Sequence, residues 1–241
     1  MRVGVAMLGK LYAIGVGPGD SKLMTVKAIE VIQSLDVIYS PQAEIDQRSI
    51  ALMIAEPYIP EALRIETRHF PMVRAMKNKL QQWENITKDI EAELAQGYKV
   101  GFLTLGDPST YSTFSYILER LDTTYPVEVI PGVTSFAQIA AISCKPLVLD
   151  QDKLSIIPAT ASEEEIKACL SLYENVVVMK IKRHLKKVLP LLKELDLLEG
   201  SYLISDASMP SQQIYTNLSE FTGEEKLSYF STLVVQKKRD E

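Results

Sequence analysis

Thiols and imidazoles are scarce in this chain of 241 residues, which has two cysteines and two histidines. Cys144 and Cys169 show neither CxxC spacing nor a histidine in metal-ligand register, so both read as buried thiols rather than disulfide or zinc ligands. With only His69 and His184 to draw on, no metal site is expected. Long apolar runs are lacking too. Ile50–Ala55 and Val176–Met179 are ended by Glu56 and Lys180, well short of the ~20 residues that span a bilayer. The apolar stretch of residues 1–9 is too short for a signal peptide, so the expected location is the cytoplasm, with no membrane partner. Net positive charge is absent: the formal charge is −5, which argues against general attraction to nucleic-acid phosphates. Internal repeats and low-complexity segments are also missing, apart from a charged tail over residues 237–241.

What is present is an alternation of short apolar strands and amphipathic helices, which points to an α/β fold. Leu11–Val16 reads as a strand, Lys22–Leu35 as a helix and Asp36–Ser40 as a second strand. Met76, Leu80, Trp83, Ile86, Ile90 and Leu94 recur at helical spacing until Gly97 stops them, and Lys99–Leu105 follows as a strand. A helix over Tyr111–Leu121 leads to the polar segment Asp122–Pro126, read as a hinge between domains 1–122 and 127–241. The second half reads as strand Val127–Ile130, helix Thr134–Ile142 and strand Leu154–Ile157. A helix then opens on the capping pair Ser162 and Glu165. Strand Val176–Ile181, a helix kinked or interrupted by Pro190, and strands Ser201–Ser205 and Tyr229–Gln236 complete the chain.

Three strand-to-helix junctions are rich in glycine. Gly15-Val16-Gly17-Pro18-Gly19-Asp20 invites comparison with the dinucleotide fingerprint GxGxxG, but Asp20 stands where the third glycine is needed and Pro18 lacks an amide donor. A nicotinamide-dependent oxidoreductase is therefore disfavoured, and no GxxxxGK[ST] phosphate loop occurs. A tight turn with Ser21 as helix cap is an equal alternative for this segment alone. Leu103-Thr104-Leu105-Gly106-Asp107-Pro108, with Tyr111-Ser112-Thr113 behind it, brings a carboxylate to the edge where open α/β sheets bind ligands. Asp107 there can orient an ammonium, stabilise a sulfonium or accept a proton, or simply cap the helix that follows. Ile130-Pro131-Gly132-Val133-Thr134-Ser135 is the third junction, with a hydroxyl pair at a helix start.

These three segments, in this order over nearly the whole chain, resemble the class III S-adenosylmethionine-dependent tetrapyrrole methyltransferases. Phe70-Pro71-Met72, the Gly106-Asp107-Pro108 and Tyr111-Ser112-Thr113 segments, and Val178-Met179-Lys180 resemble the branch that methylates precorrin-2 or cobalt-factor II at C(20) on the cobalamin pathway. The resemblance implies a two-lobed α/β fold, each lobe a mixed sheet flanked by helices, working as a homodimer with S-adenosylmethionine in the cleft between lobes. It implies that Gly106, Asp107, Pro108, Tyr111, Ser112 and Thr113 hold the methionine end of the cofactor. It further implies that Thr134 and Ser135 touch the cofactor and that Met179, Ala207 and Thr232 line its adenine pocket. Two positions depart from the family pattern, since Lys180 and Ala207 stand where glycine is common. On the substrate side it implies Pro18 near the tetrapyrrole, and a substrate with many carboxylates calls for cations. Arg64, Arg68, His69 and Arg74 are the better cluster for that role. Lys180, Lys182, Arg183, His184, Lys186 and Lys187 read mainly as a solvated helix face, with Lys180 kept as a substrate candidate. Asp107, or a water it holds, is the candidate proton acceptor. Sister activities on another tetrapyrrole position, or a silent tetrapyrrole carrier, remain alternatives, as does the presence or absence of cobalt in the substrate.

Overall fold

The computed structural model describes residues 8–42, 48–70 and 76–237, with residues 76–79 described by backbone alone. Pro71, Met72 and Arg74 lie outside the described residues. The chain divides into two compact units, one running to Thr134 and one beginning at Ser135.

The first unit holds β1 (Lys10–Gly15), α1 (Val26–Gln33), β2 (Val37–Gln42), α2 (Ile50–Ala55), β3 (Arg64–His69), α3 (Met76–Ala95), β4 (Lys99–Thr104), α4 (Phe114–Leu118) and β5 (Val127–Ile130). Its sheet has the order β3-β2-β4-β1-β5 and is parallel in all four strand pairings. Strand alternation sends Leu11 and Ala13 of β1 to one face, against Trp83, Ile86, Ile90 and Leu94 of α3. Ile14 and Val16 go to the other face, with Ala28 and Ile32 of α1 and Ala51 and Ile54 of α2. Both faces are covered, as parallel sheets require.

The second unit holds α5 (Ser135–Ser143), β6 (Leu154–Pro158), α6 (Glu163–Leu172), β7 (Asn175–Met179), α7 (Leu185–Glu194), β8 (Ser201–Ser205), β9 (Gln213–Tyr215) and β10 (Ser231–Gln236). Here the order is β6-β7-β10-β8-β9, with β6 and β7 parallel and the other three pairings antiparallel. One face packs Ile166 and Leu170 of α6 and Val188, Leu189 and Leu192 of α7, while the other packs Ile139 of α5 against Val177, Tyr202, Ile204 and Val234. The α/β expectation holds in both units. The mixed character belongs to the second sheet, whereas the first is parallel.

Local signals account for many boundaries. Gly97 ends α3 at φ 87, its N–H bonding to Leu94 O (3.0 Å) while that of Tyr98 bonds to Glu93 O (3.3 Å), the paired bonds of a Schellman cap. Ser162 and Glu165 form the expected reciprocal capping box at α6. Other expectations need correction. The helix predicted from Lys22 begins at Val26, because Thr25 Oγ1 accepts the Ala28 N–H (3.1 Å) and is the cap that Ser21 was expected to be. The helix predicted over Tyr111–Leu121 shrinks to Phe114–Leu118, since Tyr111 sits at φ 49 and the Ser112 hydroxyl takes the Phe114 N–H. The helix α7 runs through Pro190 without interruption. The hinge placed at Asp122–Pro126 falls inside the first unit, because β5 pairs with β1 and carries the chain back into the first sheet. Cys144 is exposed at φ 51 in the turn that ends α5, and Cys169 is half-buried, so neither is the fully buried thiol expected. Among the described residues no helix is long and apolar enough to cross a membrane.

Candidate functional site

In a parallel sheet every strand ends at the same edge, so the loops after the neighbours β4, β1 and β5 come together without any special sequence instruction. Here they touch backbone to backbone. Gly17 and Gly106, at φ 79 and 72, exchange two hydrogen bonds, Gly106 N to Gly17 O (2.8 Å) and Gly17 N to Gly106 O (3.2 Å). A Cβ on Gly132 would stand 2.1 Å from Gly106 O, and one on Gly15 would stand 2.6 Å from Gly132 N. Those two glycines are there because nothing else fits between the loops. Gly106 differs: a Cβ there would meet only Val133 O, at 4.0 Å, so its α-carbon faces open space.

Asp107 fastens this junction. Its Oδ2 accepts the Gly132 N–H (3.0 Å) from the third loop and its Oδ1 accepts the Ser109 N–H (2.8 Å) of its own turn. A carboxylate taking backbone N–H groups makes charge-assisted bonds, stronger than neutral ones. It does not cap α4, whose N-cap is Thr113 with no side-chain bond. Pro108 is buried beside it, Ser112 and Thr113 are half-buried, and Tyr111 is exposed. The Ser112 hydroxyl lies 3.3 Å from that of Thr104 at the end of β4. Pro18 is buried in the first loop, and Thr134 is half-buried at the end of the third, next to Ser135, the first residue of α5.

The proposed cations look different in three dimensions. Arg68 donates to Glu66 (2.7 Å) and Asp89 (3.2 Å), and its guanidinium lies 5.4 Å from the Tyr39 ring centre. Its charge is already matched. Arg64 pairs with Glu93 at 2.5 Å. Burial, reinforced by Glu93, pushes the Tyr39 hydroxyl up to about 12. His69 ends β3 at the same sheet edge, and its Nδ1 is buried without a hydrogen-bond partner.

In the second unit, Met179 ends β7 and Ala207 follows β8. Because β10 runs antiparallel to both, Thr232 near its start lies at that same edge, opposite Ile204. Met179 and Ala207 share one apolar cluster, and Thr232 is buried. Lys180 follows Met179 in the left-handed region (φ 59), a conformation glycine adopts without strain, which gives physical sense to the glycine common at this position in the resembled family. Although Lys180 is exposed as a residue, desolvation lowers its ammonium pKa. In the run behind it, Lys186 pairs with Glu224, and Lys187 Nζ caps Ala161 O at 2.5 Å. A cavity of about 250 Å³ is lined by Leu195, Asp196, Leu197, Glu199, Gly200, Gln236 and Lys237, at the opposite edge of this sheet from Met179.

Sequence reasoning left Gly15, Gly17 and Gly132 out of the site, although the motifs that contain them were the signal. It also missed Ser205, Asp206, Ser228 and Ser231, which hydrogen-bond one another at the Ala207 edge and whose spacing matches no motif.

Comparisons with known proteins bear on this geometry. Residues 10–222 match the family model described as tetrapyrrole (corrin/porphyrin) methylases. The chain is 37% identical over 231 residues to a cobalt-precorrin-2 C(20)-methyltransferase of Salmonella typhimurium, covering 96% of this chain and 98% of that one. It is 29% identical to a precorrin-2 C(20)-methyltransferase of Sinorhizobium sp, with 95% of each covered. Among solved structures, a cobalt precorrin-4 methyltransferase superposes with a TM-score of 0.72 at 19% identity over 94% of each chain. A uroporphyrin-III C-methyltransferase from Thermus thermophilus complexed with S-adenyl homocysteine does so with a TM-score of 0.66 at 20% identity, over 95% of this chain and 98% of that one. At those identities the structural likeness speaks for the fold alone.

Proposed function

Because the chain belongs to the tetrapyrrole (corrin/porphyrin) methylase family, we propose that it transfers a methyl group from S-adenosylmethionine to C(20) of precorrin-2 or its cobalt complex, on the way to cobalamin. One observation carries the choice of substrate: the similarity to C(20)-methyltransferases extends over nearly the full length of both chains. The open α-carbon of Gly106, in a loop anchored by Asp107, fits a cofactor that must approach main chain closely.

In this reading Gly106, Asp107, Pro108, Tyr111, Ser112 and Thr113 receive the methionine end, with Thr134 and Ser135 as further contacts. Met179, Ala207 and Thr232 line the adenine. The cofactor, when bound, supplies a sulfonium methyl group to an electron-rich carbon in line with the C–S bond. The protein contributes placement. Holding the two reacting atoms in contact and excluding water lowers such a barrier by on the order of 7 kcal/mol or more. Asp107, or a water it holds, takes the proton that leaves the methylated carbon. Pro18, Arg68, His69 and Lys180 face the substrate, and Arg68 does so by exchanging Glu66 or Asp89 for a substrate carboxylate. The working form is a homodimer in the cytoplasm, without nucleic acid.

The test is incubation of the purified protein with 13C-methyl-labelled S-adenosylmethionine and either metal-free precorrin-2 or its cobalt complex. New label at C(20), located by NMR, is expected with one of the two. Label at another carbon moves the protein to a sister activity, and cofactor binding with no label in either leaves a tetrapyrrole carrier.

A further inference from the structure

Where β8 ends, the backbone turns through two left-handed residues that are not glycine, Asp206 (φ 52) and Ser208 (φ 63). Such residues persist only where their surroundings over-determine them, and they cluster at ligand clamps. The surroundings here are specific. Asp206 N donates to Phe230 O (3.1 Å), its Oδ1 accepts a short bond from Ser228 Oγ, and its Oδ2 accepts one from Ser211 Oγ (2.9 Å). Ser228 in turn accepts the Phe230 N–H (3.3 Å) on its hydroxyl and the Ser231 hydroxyl (2.7 Å) on its carbonyl. Ser231 Oγ lies 2.7 Å from Ser205 Oγ, and both serines are buried. Ser208 N is held by Gln212 Oε1 (2.7 Å), and Met209 N by Asp206 O (2.9 Å). One carboxylate therefore joins the turn that carries Ala207 to the segment that leads into Thr232.

The packing of the sheet does not call for this network. The apolar cluster on the Ala207 face is closed by Ile139, Val177, Tyr202, Ile204 and Val234, none of which touches water appreciably. What the network does hold is the backbone on either side of the sheet edge, in a conformation that two unassisted left-handed residues would not keep.

We propose that Asp206 is a positioning residue for the cofactor: through Ser228 and Ser211 it keeps the Ala207 turn and the start of β10 in the shape that receives the adenosine end. The inference rests on the assignment of Ala207 and Thr232 to the adenine pocket. It predicts a loss of affinity rather than of chemistry. In Asp206→Ala, the dissociation constant for S-adenosylhomocysteine by calorimetry and the KM for S-adenosylmethionine should both rise by about tenfold or more. The kcat at saturating cofactor should stay within about threefold of wild type. Asp206→Asn, which keeps one acceptor oxygen for a serine hydroxyl, should recover much of that affinity. A purely structural role would lower the melting temperature of Asp206→Ala and leave KM unchanged, and that result overturns the proposal. If Asp206→Ala does not fold, Ser228→Ala and Ser211→Ala remove the two side-chain partners singly, and unchanged affinity in both overturns it equally. Wild-type protein that takes up no S-adenosylhomocysteine would defeat the cofactor assignment itself, which separates that failure from the failure of Asp206.

Discussion

The two units present their sheet edges by opposite means. In the first, the loops after β1, β4 and β5 meet through missing side chains: Gly15 and Gly132 let backbone lie on backbone, and Gly17 and Gly106 take positive φ. In the second, Lys180, Asp206 and Ser208 take the same left-handed conformation with side chains in place, and hydrogen bonds hold the turn. The difference teaches that a tight ligand edge needs its backbone conformation specified, and that either sterics or polar bracing can specify it. A glycine edge is cheap in the folded state and gives the unfolded chain more freedom to lose. A braced edge carries strain that other contacts must offset.

The contrast can be broken most severely at Gly132. Gly132→Ala should push the third loop off Gly106 O, costing about 3 kcal/mol of unfolding free energy, with cofactor affinity and turnover both falling sharply. Denaturant unfolding and calorimetry check it. Asp107→Asn comes next. It keeps one acceptor but disturbs one of the two N–H contacts, at about 1–2 kcal/mol. If Asp107 is also the proton acceptor, turnover at intact S-adenosylhomocysteine affinity drops by about 100-fold or more. Near-full turnover would restrict the residue to holding the loops. At Lys180 the sign reverses. Lys180→Gly should relieve left-handed strain and raise stability by about 1 kcal/mol, visible as a higher melting temperature, whereas Gly106→Ala should lower it by a similar amount without a clash.

The last effect is a pH dependence in the first unit. Burial of Tyr39 raises its hydroxyl from 10.0 in the unfolded chain to about 12 in the fold. Its contribution is complete below pH 10 and is lost as pH climbs towards 12, because the unfolded ring ionises first. Unfolding free energy measured across that window should fall less steeply in Tyr39→Phe than in wild type.

Much of this was legible in the chain, and what was legible was local. Gly97 as a stop and the Ser162 and Glu165 capping box act within a few residues, so their patterns mean the same thing in any fold. Strands Val127–Ile130 and Ser201–Ser205 stand where their apolar runs predict. β3 was not legible. Arg64, Arg68, His69 and Arg74 read as a basic cluster, and only Glu66 on the same strand and the neighbouring helix α3, with Asp89 and Glu93, turn Arg64 and Arg68 into paired charges on an edge strand. The domain hinge was misplaced for a related reason. A polar, proline-ended segment signals a turn, but whether the next strand stays in the same sheet is decided by pairing, here of β5 with β1.

The sequence by itself determined the alternation of strands and helices, the three glycine-bearing junctions and their order, and through them the resemblance to a methylase family. Tertiary structure alone decided that Asp107 reaches the amide of Gly132, that Gly15 and Gly132 exclude any Cβ, and that Asp206 joins Ser211 to Ser228. The physical reason is range. Backbone sterics and capping bonds act over a few residues and leave a pattern in the chain. A contact between loops exists only after the sheet has brought its strand ends to one edge, and no spacing along the chain encodes that.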